Sequence, residues 1–263
     1  MTLINSIAGI RGTIGGRVED NLTPIDIIEF TSSFCSYVKS DSISDDFNIV
    51  IGRDSRKSGK YILNIIENTI VMYGINVINI DLTTTPTLGL SVRRFSANGG
   101  IMVTASHNPI QWNALKIMNE FGEVINKRMS EDILKIKKNR SFNFAQLENL
   151  GSIKSEFTQI DQHITDILNL NIIQIDKIKK LNLNVVIDGI NSVGGIAIPM
   201  LLEKLNVNYI KLNCDPTGIF SHNPEPLPQN IKDLCSSVVK NTADLGLIVD
   251  PDVDRLAIVD EKG

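Results

Sequence analysis

The chain has 263 residues and a formal net charge of −4, from 26 Lys+Arg against 30 Asp+Glu. That balance excludes a nucleic-acid binder relying on a basic face, because a phosphate backbone demands excess positive charge. With 42% apolar and 21% charged residues the composition is that of a packed domain rather than a disordered chain, and no apolar run approaches the roughly 18 residues of a membrane span.

Along the chain, short apolar runs alternate with amphipathic stretches. Asn48-Ile49-Val50-Ile51-Gly52 reads as a buried strand. Ser58 to Tyr73 follows with Ile62, Ile65, Ile66, Thr69, Ile70 and Tyr73 at helical spacing, and Gly74 supplies a stop. Asn76–Ile80 is the next strand; the polar turn Thr83-Thr84-Thr85-Pro86 opens a helix to about Phe95, and Gly100–Val103 is a third strand. From about Glu120 to Asn171 the chain is polar and expected to be mostly helical, with Lys135–Arg140 as a solvated helix end.

The alternation restarts with strand Leu183–Asp188, helix Gly194–Leu205, strand Val207–Leu212, helix Ile231–Lys240 and strand Leu245–Asp250. Alternating strands and helices predict mostly parallel sheets covered by helices. A boundary is expected near residue 150, giving two α/β units.

Cys35, Cys214 and Cys235 are odd in number, widely spaced and form no Cys-x-x-Cys pair. They fit reduced structural thiols and predict a cytoplasmic protein. The start, Met1–Ser6, has no basic segment followed by an apolar one, so no signal peptide is expected.

Two loops carry chemistry. The first, Thr104-Ala105-Ser106-His107-Asn108-Pro109, follows a predicted strand, and functional sites in parallel α/β sheets gather at the carboxyl ends of strands. A plain polar turn is the alternative, since Ser, Asn and Pro all favour turns. A Ser-His hydrolase fits poorly: Ser106 and His107 are adjacent, and no Gly-x-Ser-x-Gly elbow exists.

The second loop is Asp250-Pro251-Asp252-Val253-Asp254-Arg255. Two like charges about 4 Å apart repel by ~4 kcal/mol at an effective dielectric near 20, so three carboxylates at one strand end call for a cation. Oxygen-only ligands favour a hard ion such as Mg²⁺. An EF-hand is excluded because Arg255 stands where that loop needs glycine and Leu256–Val259 reads as a strand. A solvated acidic turn is the plain alternative, but it explains neither the strand placement nor the triple alternation. Together the loops point to phosphoryl chemistry, in which a phosphoserine is both a metal ligand and a group donor.

These loops resemble those of the α-D-phosphohexomutases. Thr104–Pro109 is similar to that family's phosphoserine loop, Asp250–Arg255 to its metal loop, and Ile7-Ala8-Gly9-Ile10-Arg11-Gly12-Thr13 to its N-terminal segment. The likeness extends through Val186–Gly189 and Asn223–Pro228, and with Thr85–Gly89 it is nearest to the phosphoglucosamine mutases within the family. The resemblance implies that Ser106 carries the transferred phosphoryl group and that Ser106, Asp250, Asp252 and Asp254 hold Mg²⁺. Arg11 and Lys116 are implied to flank the transferring group, stabilising charge and handling the sugar hydroxyl proton. His107, Asn108 and Arg255 are implied substrate contacts, a salt bridge to a neighbouring Asp being the alternative for Arg255. Arg53, Asp54 and Arg56 are expected in structural roles. Asn113-Ala114-Leu115-Lys116 departs mildly from the family, which more often has glycine between Asn and Lys.

The implied fold is two consecutive α/β domains with mixed, mostly parallel sheets: residues 1–150 with the phosphoserine loop and 151–263 with the metal loop. The implied substrate is a phosphorylated hexose or hexosamine, moved between 6- and 1-phosphates through a 1,6-bisphosphate. Family members are longer and have four domains, the third and fourth absent from these 263 residues, so the chain alone is expected to be a poor mutase or inactive. The alternatives are a phosphomannomutase/phosphoglucomutase and a non-catalytic metal- or phosphosugar-binding remnant.

Overall fold

A computed structural model describes residues 1–41 and 46–263. The first unit opens with the hairpin β1 (Ile4–Ser6) and β2 (Gly9–Thr13), followed by α1 (Pro24–Asp41), β3 (Asn48–Arg53), α2 (Gly59–Met72), β4 (Asn76–Leu82) and α3 (Thr85–Arg94). It continues through β5 (Gly99–Val103), β6 (Trp112–Met118), α4 (Lys127–Asn139) and β7 (Ile153–Ser155). These strands form one sheet in the order β1-β2-β6-β5-β3-β4-β7. Its β5-β3-β4-β7 half is parallel and its β1-β2-β6-β5 half antiparallel.

Burial explains why β3 reads as an unbroken apolar run rather than an alternating one. Ile49 and Ile51 face the core under α1, α2 and α4, while Val50 faces Leu88 and Val92 of α3 on the opposite side. A strand covered on both faces needs apolar residues at every position. Helix α2 lays Ile62, Ile66 and Ile70 on the first core, each worth about 1.5–3 kcal/mol relative to exposure. It ends where Gly74 adopts φ +69° and the Ile75 N–H returns to the Ile70 carbonyl.

The second unit comprises α5 (Gln159–Leu168), α6 (Ile175–Lys180), β8 (Asn184–Asp188), α7 (Gly194–Lys204), β9 (Asn208–Leu212), α8 (Lys232–Lys240), β10 (Leu245–Val249) and β11 (Leu256–Val259). Its sheet runs β11-β10-β8-β9, parallel except for β11. Val185, Ile187 and Val249 pack towards α7, and Val186 and Ile248 towards α8.

Several elements differ from the sequence reading. Strands β1, β2 and β6 and helix α6 have no counterpart in it, and the pairing of β1, β2 and β6 supplies the antiparallel half of the first sheet. Helix α1 was not among the expected elements: Thr31, Ser32 and Ser33 weaken its propensity, yet Thr23 and Asp26 cap its start reciprocally and Phe30 and Phe34 bury its face. The polar stretch from 120 to 171 is helical only over α4 and α5 and a short 3₁₀ turn, because β7 runs between them. Strand β7 also carries the first sheet past position 150; its three residues are all exposed, so no hydrophobic pattern marks them.

The two units meet through polar contacts. Ser55 Oγ lies 2.8 Å from Ser192 Oγ, which donates to the Pro251 carbonyl at 2.6 Å. Gly218, at φ +67°, packs so closely on Ser55 that a Cβ there would fall 1.9 Å from its carbonyl oxygen. Across the same junction Thr87 Oγ1 sits 2.8 Å from His163 Nδ1, and Arg94 pairs with Gln159 and Asp166.

Candidate active site

The loop between β5 and β6 is built around its backbone. Ser106 takes φ +47°, in the left-handed region, where a non-glycine residue needs outside support. Its N–H donates to Thr104 Oγ1 at 2.9 Å, and Thr104 donates to Asp54 at 2.7 Å. Asn108 bonds back to the Ala105 carbonyl at 2.8 Å.

Beneath the loop, the buried Arg56 guanidinium donates to the carbonyls of Ser106 and Asn108 at 2.6 Å, Pro109 at 2.8 Å and Trp112 at 3.0 Å. Asp54 neutralises it at 3.2 Å, and the Phe220 ring of the second unit covers it. Arg53 pairs separately with Asp81. Arg56 therefore holds the loop rather than facing a ligand.

The second loop follows β10. Asp250 and Asp252 are fully buried and Asp254 is exposed. Asp250 Oδ1 accepts the N–H groups of Asp254 and Arg255, both at 3.1 Å, which folds the loop back on itself. Asp250 Oδ2 accepts the Ser106 hydroxyl at 2.6 Å. The serine and the acidic loop thus face one another across the junction of the two units.

Register brings the cations to the same place. Strands β2 and β6 pair antiparallel with Gly9 opposite Lys116 and Arg11 opposite Ala114. Arg11 and Lys116 therefore project from one face of the sheet as diagonal neighbours. Lys116 Nζ reaches Asp252 and Asp254, each at 2.9 Å. Burial works against its charge, but these carboxylates prevail and hold the amine above its ordinary value. Arg11 Nε is buried and has no hydrogen-bond partner among the described residues.

Arg11, Ser106, His107, Asn108, Lys116, Asp254 and Arg255 line a cavity of about 200 Å³. His107 Nδ1 lies 3.3 Å from the Ser106 hydroxyl. Burial, reinforced by Arg255, lowers His107 from its ordinary imidazole value. Arg255 reaches Glu225 at 3.1 Å rather than an aspartate of its own loop.

The acidic loop fits a hard divalent cation. One oxygen from each of Asp250, Asp252 and Asp254 lies within 4.8 Å of the others. Asp252 Oδ1 is buried without a hydrogen-bond partner among the described residues, a costly state for a carboxylate oxygen. Burial, with the neighbouring Asp252 charge, pushes the Asp250 carboxyl up to about 8. Asp252 itself stays below the carboxylate range because Lys116 and Thr85 outweigh its burial. With all groups ionised, three carboxylates against one ammonium leave a charge of two to balance. The oxygen-only donor set suits Mg²⁺.

Comparison with known families decides the classification. The family model for phosphoglucomutase/phosphomannomutase α/β/α domain I matches residues 5–144, and that for domain II matches residues 161–263. The chain belongs to the phosphoglucomutase/phosphomannomutase family. A phosphoglucosamine/phosphogalactosamine mutase from Sulfurisphaera tokodaii is 30% identical to this mutase-family chain over 256 residues, covering 96% of it and 55% of the relative. A phosphoglucomutase/phosphomannomutase from Thermococcus kodakarensis is 29% identical over 255 residues, 96% of the chain and 55% of the relative. The chain thus spans about half the length of the curated relatives it matches. The fold is shared with a solved phosphoglucomutase/phosphomannomutase family protein from Burkholderia thailandensis, at TM-score 0.79 and 23% identity over 97% of this chain and 54% of that one. Among the described residues, no helix of this family member is long and apolar enough to cross a membrane.

Residues outside the sequence-based candidates also shape the site. Thr85 donates to Asp252, Ser55 and Ser192 tie the loops together, and Phe220 covers Arg56. Thr85 lies in a segment that reads as a helix-opening turn and carries part of the family resemblance, without a sign of its contact to Asp252; the others depend on contacts between distant segments.

Proposed function

We propose that this chain carries the phosphoryl-transfer centre of a mutase acting on a phosphorylated hexosamine. The observation that carries the reading is the Ser106 hydroxyl set against Asp250 at the mouth of a cavity lined by Arg11 and Lys116. In the phosphorylated form, a sugar hydroxyl oxygen attacks the phosphorus on Ser106. The P–Oγ bond breaks as the new P–O bond forms; the sugar hydroxyl gives up a proton and Ser106 Oγ regains one. The product is a 1,6-bisphosphate, which returns its other phosphoryl group to Ser106 after reorienting.

Each side chain has a task in that exchange. Arg56 and Asp54 hold the Ser106 loop in its left-handed turn. Arg11, whose buried Nε has no internal partner among the described residues, offers a donor to phosphoryl oxygens. Lys116, held as an ammonium by Asp252 and Asp254, flanks the transferring group and stabilises its charge. His107, Asn108 and Arg255 contact the sugar phosphate. Asp250, Asp252 and Asp254, with a phosphoserine oxygen, would hold Mg²⁺, which supplies positive charge beside the transferring group. Phosphoryl transfer is chiefly positioning and charge neutralisation, and these residues provide both.

The hexosamine is favoured by the Sulfurisphaera relative's name; the Thermococcus relative's name supports a second reading, a hexose phosphate of the gluco or manno series. The unpaired cysteines suit a reduced, cytoplasmic setting. The test is incubation of the chain with Mg²⁺ and either glucosamine or glucose 1,6-bisphosphate, read by intact mass and peptide mapping. Gain of one phosphoryl group on the Ser106 peptide, absent in Ser106→Ala and faster from the glucosamine compound, is expected. Failure of both compounds to label Ser106, in this chain and in a version extended with the family's third and fourth domains, would overturn the reading.

A further inference from the structure

Thr85 has no part in the transfer just described, yet it makes two contacts to the acidic loop of the other unit. It is the first residue of α3, with Thr84 as the N-cap. Its backbone N–H donates to the Asp252 carbonyl at 2.9 Å, and its Oγ1 donates to Asp252 Oδ2 at 2.5 Å. The same Oδ2 accepts Lys116 Nζ at 2.9 Å. Two donors thus occupy one oxygen, while the other, Oδ1, is buried and bare among the described residues. A freely rotating carboxylate would share its donors between both oxygens. This one is held so that a single, fully available oxygen remains.

We propose that Thr85 is a positioning residue for the cation site: its amide fixes the Asp252 main chain and its hydroxyl the Asp252 carboxylate, with Oδ1 free to bind a divalent ion. The inference rests on reading Asp250, Asp252 and Asp254 as cation ligands. Thr85 suits the task because its β-branched side chain is stiff at χ1 and is anchored on the first turn of a helix. Partners that orient a metal ligand typically contribute 10–100-fold in metal affinity. Valine matches threonine in shape but cannot donate, and serine keeps the donor without the methyl group.

The experiment is Mn²⁺ titration of the whole chain, followed by the electron paramagnetic resonance signal of free Mn²⁺, with near-ultraviolet circular dichroism to verify folding. Thr85→Val is expected to weaken Mn²⁺ binding about 10–100-fold, and Thr85→Ser to retain it. Thr85→Ala, which makes no steric demand, gives the same readout should the valine variant misfold. Arg94→Ala breaks a different contact between the units, to Gln159 and Asp166 at the far end of α3, and is expected to leave the affinity unchanged. Wild-type affinity in Thr85→Val and Thr85→Ala would overturn the proposal, as would equal weakening in Arg94→Ala, which would assign the effect to docking of the units. Asp252→Asn separates the two readings: undiminished Mn²⁺ binding there refutes the cation site itself, whereas loss there with no effect at Thr85 refutes only the positioning role.

Discussion

The Ser106 hydroxyl donates to Asp250 Oδ2 over 2.6 Å, joining residues 144 positions apart in the chain. One partner sits on the β5–β6 loop and the other follows β10 in a different sheet, so the contact exists only because the two units dock. Everything that fixes either loop, or the docking, therefore acts on the same pair.

Lys116 competes for the carboxylates that a cation needs. Lys116→Met removes a positive charge 2.9 Å from both Asp252 and Asp254. A unit charge at about 4 Å is worth ~4 kcal/mol at an effective dielectric near 20, so Mn²⁺ affinity is expected to rise at least about tenfold. Without metal the variant is expected to be less stable than the wild type, since two carboxylates lose their partner. Calorimetric titration with Mn²⁺ and chemical denaturation check both halves; weaker Mn²⁺ binding would contradict the arrangement.

Arg56→Ala leaves Asp54 buried and unpaired and frees four carbonyls of the Ser106 loop. Breaking one side of a buried pair costs about 3–5 kcal/mol. Arg56→Lys keeps the charge but cannot span the four carbonyls, so it is expected to recover only part of the loss. Urea unfolding measures both; a loss under about 1 kcal/mol for the alanine variant would be a surface-pair value and inconsistent with this burial.

His222 gives the second unit a pH-dependent contact. Its Nε2 lies 3.0 Å from the buried Asp188, and that hydrogen bond, prevailing over burial, raises the imidazole above its ordinary value. A histidine raised in the folded state stabilises fully below its unfolded value, near 6.5, and that contribution disappears as pH rises through the folded value. The stability difference between wild type and His222→Gln is therefore expected to be larger at pH 5.5 than at pH 8.5. A difference that is flat, or grows with pH, would reverse the assigned sign.

Much of this was legible in residue order, and the reasons differ by element. Strand β3 and helix α2 show themselves because Ile49–Ile51 and Ile62, Ile66 and Ile70 follow the periods of burial. The acidic loop shows itself because three carboxylates at one strand end are costly without a cation, and the Ser106 loop through its place after a strand and its family resemblance. Strand β7 does not, since it is held by backbone pairing to β4 with all side chains exposed. Arg56 could be read only as structural, because its partners are carbonyls, which every residue has. Thr85 was hidden within a threonine run whose N-cap signal comes from Thr84, and its meeting with Asp252 depends on the docking of two units that no local pattern encodes.

The most direct measurement is phosphorus-31 nuclear magnetic resonance of the chain bearing phosphoserine at position 106, titrated with Mn²⁺. With the phosphoryl group and the Asp250–Asp254 loop sharing one ion, a single equivalent of Mn²⁺ is expected to broaden the phosphoserine resonance beyond detection, and Asp252→Asn to keep it sharp. A resonance that stays sharp in the unsubstituted chain, while Mn²⁺ is bound, would contradict a common site for serine and carboxylates.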